Sequence, residues 1–148
     1  MPFSSPPFTN DTIFDIASLT KVTATLTCIM RLYEEARLDI DDLVTKYIPE
    51  YANHAKEPTT IRNLLLHNAG LLPDYPGTLP KTKAEVMSWT YNCTLDYPIA
   101  TKYVYSDLSF ILLGEISERI SRKRLEVYSK ELMEMMGLPN STYLPNND

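Results

Sequence analysis

The 148 residues carry 14 Lys and Arg against 19 Asp and Glu, a formal net charge of −5, and 44% are hydrophobic. That length supports one domain, or part of one, with a real core, and an acidic chain with no basic stripe argues against nucleic acid as a partner. No apolar run reaches the roughly 18 residues of a membrane span. The opening MPFSSPPFTNDT has neither the basic n-region nor the apolar h-region of a secretory signal, and the sequence assigns no compartment.

In chain order, residues 1–12 read as an irregular N-terminal segment of one domain covering 1–148. A helical pattern runs over 16–36, with Leu19, Val22, Leu26, Ile29, Leu32 and Tyr33 at three- and four-residue steps. Ala24, Cys28 and Met30 fill much of the other side, so this helix is expected to be central and buried nearly all round. LDIDDLVTKYIPEY follows as a short helical turn and an extended loop stopped by Pro49. TTIRNLLLHNAGLLPDYPG predicts a short helix with Thr60 as N-cap, Gly70 in the left-handed position after it and Pro73 just beyond. TKAEVMSWTYN predicts another helix. DLSFILLGEISERI predicts a strong one, with Leu108, Ile111, Leu112, Ile116 and Ile120 inward, and LEVYSKELMEMMG closes the series at Gly137. Strand-like pieces are confined to 12–15 and 102–105. There is no internal repeat and no low-complexity segment.

Two cysteines are too few for a disulfide framework, and Cys28 within the first helix reads as a small apolar filler. His54 and His67 have no ligand-like spacing with each other or with the cysteines, so no metal site and no cofactor are expected. The basic cluster 119–124 reads as a solvated helix end or loop. Three sequons, at Asn10, Asn92 and Asn140, matter only if the chain is secreted.

The residue that does not fit is Lys21. Lysine is almost never fully buried without a partner, and in a first helical turn the dipole disfavours a cation. Ser18 stands three residues earlier, on the same helix face. Burial and a helix N-terminus both push a lysine toward neutrality, and a neutral amine beside a hydroxyl can take its proton. The pair therefore reads as a serine nucleophile and its base. A helix-start serine with an ordinary surface lysine would give the same letters. A second clue is KYVYSDLSFILLGEI, where Tyr105 stands at a helix mouth, followed by Ser106 and Asp107. Either Ser106 or Asp107 is an ordinary N-cap. A phenol placed there could also pass a proton between nucleophile and leaving group.

Together these motifs resemble the serine β-lactamase and penicillin-binding-protein family, in particular its class C-like branch with esterases and D-aminopeptidases. Ser18-Leu19-Thr20-Lys21 matches S-x-x-K, and Tyr105-Ser106-Asp107 matches Y-x-N. IRNLLLHNAGLLPDY resembles the L-L-x-H-T-S-G-L segment, and MMGLPNSTYL the P-L-G-M-x-x-T region. The resemblance implies an acyl-enzyme mechanism. Ser18 attacks a carbonyl, Lys21 assists as base, Tyr105 shuttles the proton, and the Ser18 backbone N–H donates to the oxyanion. It assigns His67, Asn68 and Gly70 packing and capping roles. The implied fold is mainly α: the helical lobe and nucleophile helix of the two-lobed α/β β-lactamase-like fold, truncated at both ends, with most of the sheet missing.

Three departures qualify this. Asp107 replaces the Asn of Y-x-N at a substrate-binding position; a carboxylate accepts but does not donate, which favours esters or peptides over β-lactams. His67-Asn68-Ala69-Gly70 replaces H-T-S-G, and no K-T-G or H-x-G follows Tyr105 to bring the second oxyanion donor. The expected function is a serine hydrolase acting on a small ester, amide, lactam or peptide, crippled in this chain. The expected apolar face left by the missing sheet favours self-association. The alternative is a non-catalytic homologue that binds a peptide or protein partner.

Overall fold

The computed structural model describes residues 7–10, 12–77 and 82–142. Among these are five α-helices: α1 Leu26–Glu34, α2 Ile61–Leu65, α3 Lys83–Asn92, α4 Asp107–Ser121 and α5 Leu125–Met135. A 3-10 turn at Ala17–Leu19 and a π-helical stretch at Lys21–Thr25 lead into α1, and 3-10 turns at Val44–Lys46 and Pro49–Tyr51 lie between α1 and α2. The described residues contain no strand, only an isolated antiparallel bridge between Leu43 and Thr60. The expected strand pieces at 12–15 and 102–105 are therefore not strands. Their recorded backbone donors close single bonds, Thr12 to the Thr9 carbonyl and Val104 to the His67 carbonyl, rather than a ladder. Of the irregular N-terminal segment, residues 1–6 and Asp11 lie outside the described residues, as do Tyr143 and Leu144 of the MMGLPNSTYL stretch.

The centre of the molecule is α4, not the helix that carries Ser18. Leu108, Phe110, Leu112, Leu113, Gly114 and Ile116 of α4 are buried, and α1, α2 and α5 all pack against it. The core adds Cys28, Ile29 and Leu32 from α1, Ile61 and Leu64 from α2, and Val44, Ile48 and Tyr51 from the intervening turns. Each such side chain contributes about 1.5–3 kcal/mol through removal from water. The Cys28 thiol, buried in this core, is pushed up to about 12 by desolvation and stays protonated.

The segment expected to be one buried helix over 16–36 differs in two ways. It is broken into 3-10, π and α pieces, and only one side is covered. Ala24, Thr25, Cys28, Ile29 and Leu32 are buried, whereas Leu19 is 60% exposed and Val22, Met30 and Tyr33 are about half exposed. The threonines account for part of the irregularity. The Thr23 hydroxyl donates to the Leu19 carbonyl at 3.0 Å, and the Thr27 hydroxyl to the Thr23 carbonyl at 2.9 Å and the Val22 carbonyl at 3.3 Å. Such back-bonding competes with the helical ladder.

Caps follow the sequence closely. Thr60 accepts from the Asn63 N–H while Asn63 reaches back to Thr60, a complete capping box for α2. Thr82 caps α3 and Ser106 caps α4, so Asp107 is the first helical residue and not the cap. Gly137 takes a positive φ of 78° after α5, as expected. After α2 the left-handed residue is His67 (φ 53°), not Gly70. Gly70 also has positive φ, 84°, but three residues further on, where a Cβ would come within 2.4 Å of the Tyr97 carbonyl oxygen.

One buried lysine was not anticipated. Lys56 is fully buried, and its ammonium donates to the carbonyls of Tyr91 (2.7 Å) and Cys93 (2.6 Å) at the end of α3. Desolvation lowers its pKa.

Candidate active site

The chain enters the site through a tight turn. The Ala17 N–H donates to the Asp15 carboxylate at 2.8 Å, and Ala17 adopts a φ of 45°. A non-glycine residue in that region is strained by roughly 1–3 kcal/mol, and such strain is concentrated at functional sites. The turn leaves Ser18 exposed. The helical stretch that follows returns Lys21 to the same face, with Nζ 3.4 Å from Ser18 Oγ.

Tyr105 and Asp107 arrive from the far side of the sequence. The segment that carries them is fastened to residues 67–73. Asp96, Ala100, Val104 and Asp107 donate backbone N–H groups to the carbonyls of Gly70, Asn68, His67 and Pro73, at 2.7–2.9 Å. The Ser106 hydroxyl donates to the Leu72 carbonyl at 2.7 Å and accepts from the Ser109 N–H at 3.3 Å, so one side chain both caps α4 and anchors the loop.

All four residues singled out from the sequence meet here. Lys21 Nζ forms an ion pair with Asp107 Oδ1 at 2.7 Å and lies 4.9 Å from the Tyr105 ring centroid. The Tyr105 phenol lies near enough to Lys21 and Ser18 to be lowered by both. The electrostatics differ from the expected neutral lysine. Desolvation pulls Lys21 down, but the hydrogen bonds to Asp107 and Tyr105 and their charges outweigh it, and the pKa is raised. Only 15% of the Lys21 side chain is exposed, yet the burial comes with an acidic partner, so the ammonium is kept. Its proximity, with the Ser18 hydrogen bond, lowers the Tyr105 phenol instead.

His67 packs behind the tyrosine. Its ring lies 4.7 Å from that of Tyr105 and 5.2 Å from that of Phe110, and the Ser106 N–H donates to its Nδ1 at 3.1 Å. A cavity of about 630 Å³ opens beside Ser18 and Lys21 and runs between α3, α4 and the start of α5, over Val86, Met87, Phe110 and Ile111. Among the described residues no group of three or more His, Cys, Asp or Glu could hold a metal ion. Among the described residues no helix is long and apolar enough to cross a membrane.

Two features of the site escaped sequence reasoning. The strained Ala17 carries no signal beyond the Asp15 two residues before it. The contact of His67 with Tyr105 was signalled only by the L-L-x-H segment, which by itself suggests packing.

Residues 3–146 match the Beta-lactamase family. The chain belongs to that family. This β-lactamase-family chain is 32% identical over 149 residues to the N-acetylmuramyl-L-alanine amidase of Bacillus subtilis, a match covering 90% of the chain and 34% of that protein. Among solved structures it resembles the beta-lactamase/D-alanine carboxypeptidase of Pseudomonas syringae, with a TM-score of 0.79 and 27% identity over 96% of the chain and 40% of that structure. It likewise resembles a penicillin-binding protein homologue of Caulobacter crescentus, with a TM-score of 0.78 and 28% identity over 88% of the chain and 36% of that structure. The chain thus spans about a third of the length of the curated relatives it matches. Its helices correspond to the helical lobe of the β-lactamase fold.

Proposed function

We propose that this β-lactamase-family chain carries the acylation residues of a serine hydrolase acting on an ester, amide or lactam. The observation that supports this most directly is Lys21 Nζ at 3.4 Å from Ser18 Oγ, held by Asp107 and set beside the Tyr105 ring. The Tyr105 phenolate, favoured by the Lys21 ammonium, takes the Ser18 proton as Oγ bonds to the substrate carbonyl carbon, leaving the neutral phenol. The Ser18 N–H donates to the oxyanion. As the tetrahedral species collapses, the bond to the leaving group breaks, and Tyr105 returns the proton to the departing oxygen or nitrogen. Water then attacks the acyl-enzyme by the same route in reverse. In this reading Lys21 acts as a fixed cation that sets the acidity of Tyr105 as well as contacting Ser18. Asp107 accepts from Lys21 and offers no amide donor to a substrate carbonyl, which favours esters and peptides over β-lactams. No K-T-G or H-x-G follows Tyr105 in these 148 residues, so a second oxyanion donor of that type is not among them. Losing one such donor typically costs about 10²–10³ in rate.

The exposed strip of Ile16, Leu19, Val22, Met30 and Tyr33 favours a second reading, a non-catalytic homologue that binds a peptide or protein partner along that face. A fluorophosphonate or penicillin probe separates the two. Mass-spectrometric mapping of the label to Ser18, abolished in Ser18→Ala, supports the hydrolase. A folded chain with no label on Ser18, or a label that survives Ser18→Ala, overturns it.

A further inference from the structure

We propose that His67 is a positioning residue for Tyr105: its neutral ring, accepting the Ser106 N–H at Nδ1, forms the wall on which the phenol facing Ser18 rests, and protonation of that nitrogen releases the phenol. The inference rests on the hydrolase reading only for its kinetic consequence; the physical coupling of the two rings stands apart from it.

The geometry carries the argument. An N–H that donates to Nδ1 requires a lone pair there, so the ring proton sits on Nε2. A second proton could go only to Nδ1, where it would meet the Ser106 N–H head on. Ser106 adjoins Tyr105 and caps α4, so a displaced Ser106 N–H moves the tyrosine directly. The ring itself is fixed from three sides, by Tyr105 at 4.7 Å, by Phe110 at 5.2 Å and by the edge of Tyr103 at 5.9 Å. Its backbone is fixed as well, because the His67 carbonyl accepts from the Val104 N–H at 2.9 Å. A His67 φ of 53° is one that His and Asn adopt more readily than most residues.

The charges around the ring favour the neutral form. Lys21, from the π-helical stretch, is the cation facing it; Asp107, from α4, is the opposing anion; Tyr103 and Tyr105 are the titratable groups of the adjoining loop. Burial and the Lys21 charge outweigh Asp107 and hold His67 below its ordinary value of 6.5. The clamp is therefore closed at neutral pH and opens in acid.

The test is NMR on the whole chain with ¹³Cζ-tyrosine and ¹⁵N labels, the Tyr105 resonance being assigned by Tyr105→Phe. The expected result is a scalar coupling between the Ser106 and His67 Nδ1 nitrogens at neutral pH. It should vanish as His67 titrates, with a shift of the Tyr105 resonance at the same pH. His67→Asn keeps an acceptor and a residue tolerant of the left-handed backbone. It should hold the Tyr105 resonance at its neutral-pH position down through that range. Where Ser18 labels, its labelling rate should fall several-fold more steeply in acid in the native chain than in His67→Asn. A Tyr105 resonance and a Ser106 amide that both stay unmoved while His67 titrates would overturn the proposal. Coupling without any Ser18 labelling supports the clamp and removes the hydrolase reading instead.

Discussion

The Lys21 ammonium and the Asp107 carboxylate meet at 2.7 Å, across the mouths of two helical segments that are distant in sequence. This pair decides the charge state of the site. Without Asp107, the desolvation that acts on Lys21 would have fewer opponents, and the lysine would sit closer to the neutral amine that its placement in an apolar turn suggests. With Asp107, the lysine is a cation, and the group whose acidity is enhanced is Tyr105.

Replacing Asp107 by Asn should therefore shift the pH dependence of Ser18 labelling. The Asp107 charge raises both Lys21 and Tyr105. Removing it lowers both, so the rising limb of labelling against pH moves to lower pH whichever of the two accepts the proton. The amide also supplies a donor, so reactivity toward a penicillin relative to a simple ester should increase. A limb that stays in place, with a flat ratio, would assign Asp107 a role confined to the start of α4.

Lys21→Ala should slow labelling of Ser18 by about 10²–10⁴, the usual scale for removing an acid–base group. It should also raise the Tyr105 pKa, measurable by ultraviolet or NMR titration, because its largest lowering influence is the hydrogen bond to Lys21. A slowed reaction with an unchanged tyrosine would argue for direct proton transfer to the lysine.

Lys56→Met keeps the length of the stem and removes the ammonium that bonds the Tyr91 and Cys93 carbonyls. One buried acceptor and one half-buried acceptor then lack their donor, and a buried acceptor left unsatisfied costs about 1–3 kcal/mol. Chemical denaturation should show a lower midpoint, whereas Lys102→Met, at an exposed residue, should change it little.

Asp42 provides a pH test of stability. The Lys46 ammonium and the Tyr47 hydroxyl, with the Asp39 N–H, hold its carboxyl at about 2, below the ordinary 3.8. Its contribution is present above the unfolded value and disappears as pH falls through the folded one. The melting temperature of Asp42→Asn should thus lie below that of the native chain at pH 6, and the gap should close between about pH 4 and pH 2.

The uncovered side of the nucleophile segment should bind hydrophobic dyes and promote association, because Leu19 and Val22 stand in water beside Ile16 and Met30. Leu19→Lys with Val22→Glu should reduce dye fluorescence and sedimentation of larger species while changing the unfolding free energy by no more than about 0.5 kcal/mol, as expected for surface changes. A large loss of stability would mean that these residues are packed.

The sequence made legible what is local. The helices of α3, α4 and α5, the Thr60 cap and the pairing of Ser18 with Lys21 all depend on residues within one or two turns of each other, where periodicity and capping chemistry act. Tyr105 was legible because it precedes a strong helix start. The state of Lys21 was not, since its partner Asp107 is brought in by tertiary structure. The break of the first helix was hidden for a related reason. Hydrophobic spacing does not distinguish 3-10, π and α turns within a few residues, and threonine hydroxyls that bond back to the chain compete with the ladder there. Central position was also misjudged, because an apolar stripe reports what could be buried and not what lies against it; α4 has neighbours on more sides.

The fastening of the Tyr105 segment onto residues 67–73 runs mostly from main chain to main chain. Peptide groups are the one part of a protein that substitution does not alter, proline excepted. The address of the tyrosine is therefore insulated from most mutational drift in the two segments that hold it. A saturation library over 96–104, Tyr97 and Tyr103 excepted, should retain Tyr105 in place for most replacements and lose it mainly for proline at Asp96, Ala100 or Val104, the positions whose N–H groups do the fastening. Exposed side chains on that stretch, such as Thr101 and Lys102, are left free to vary with whatever binds nearby, without moving the phenol.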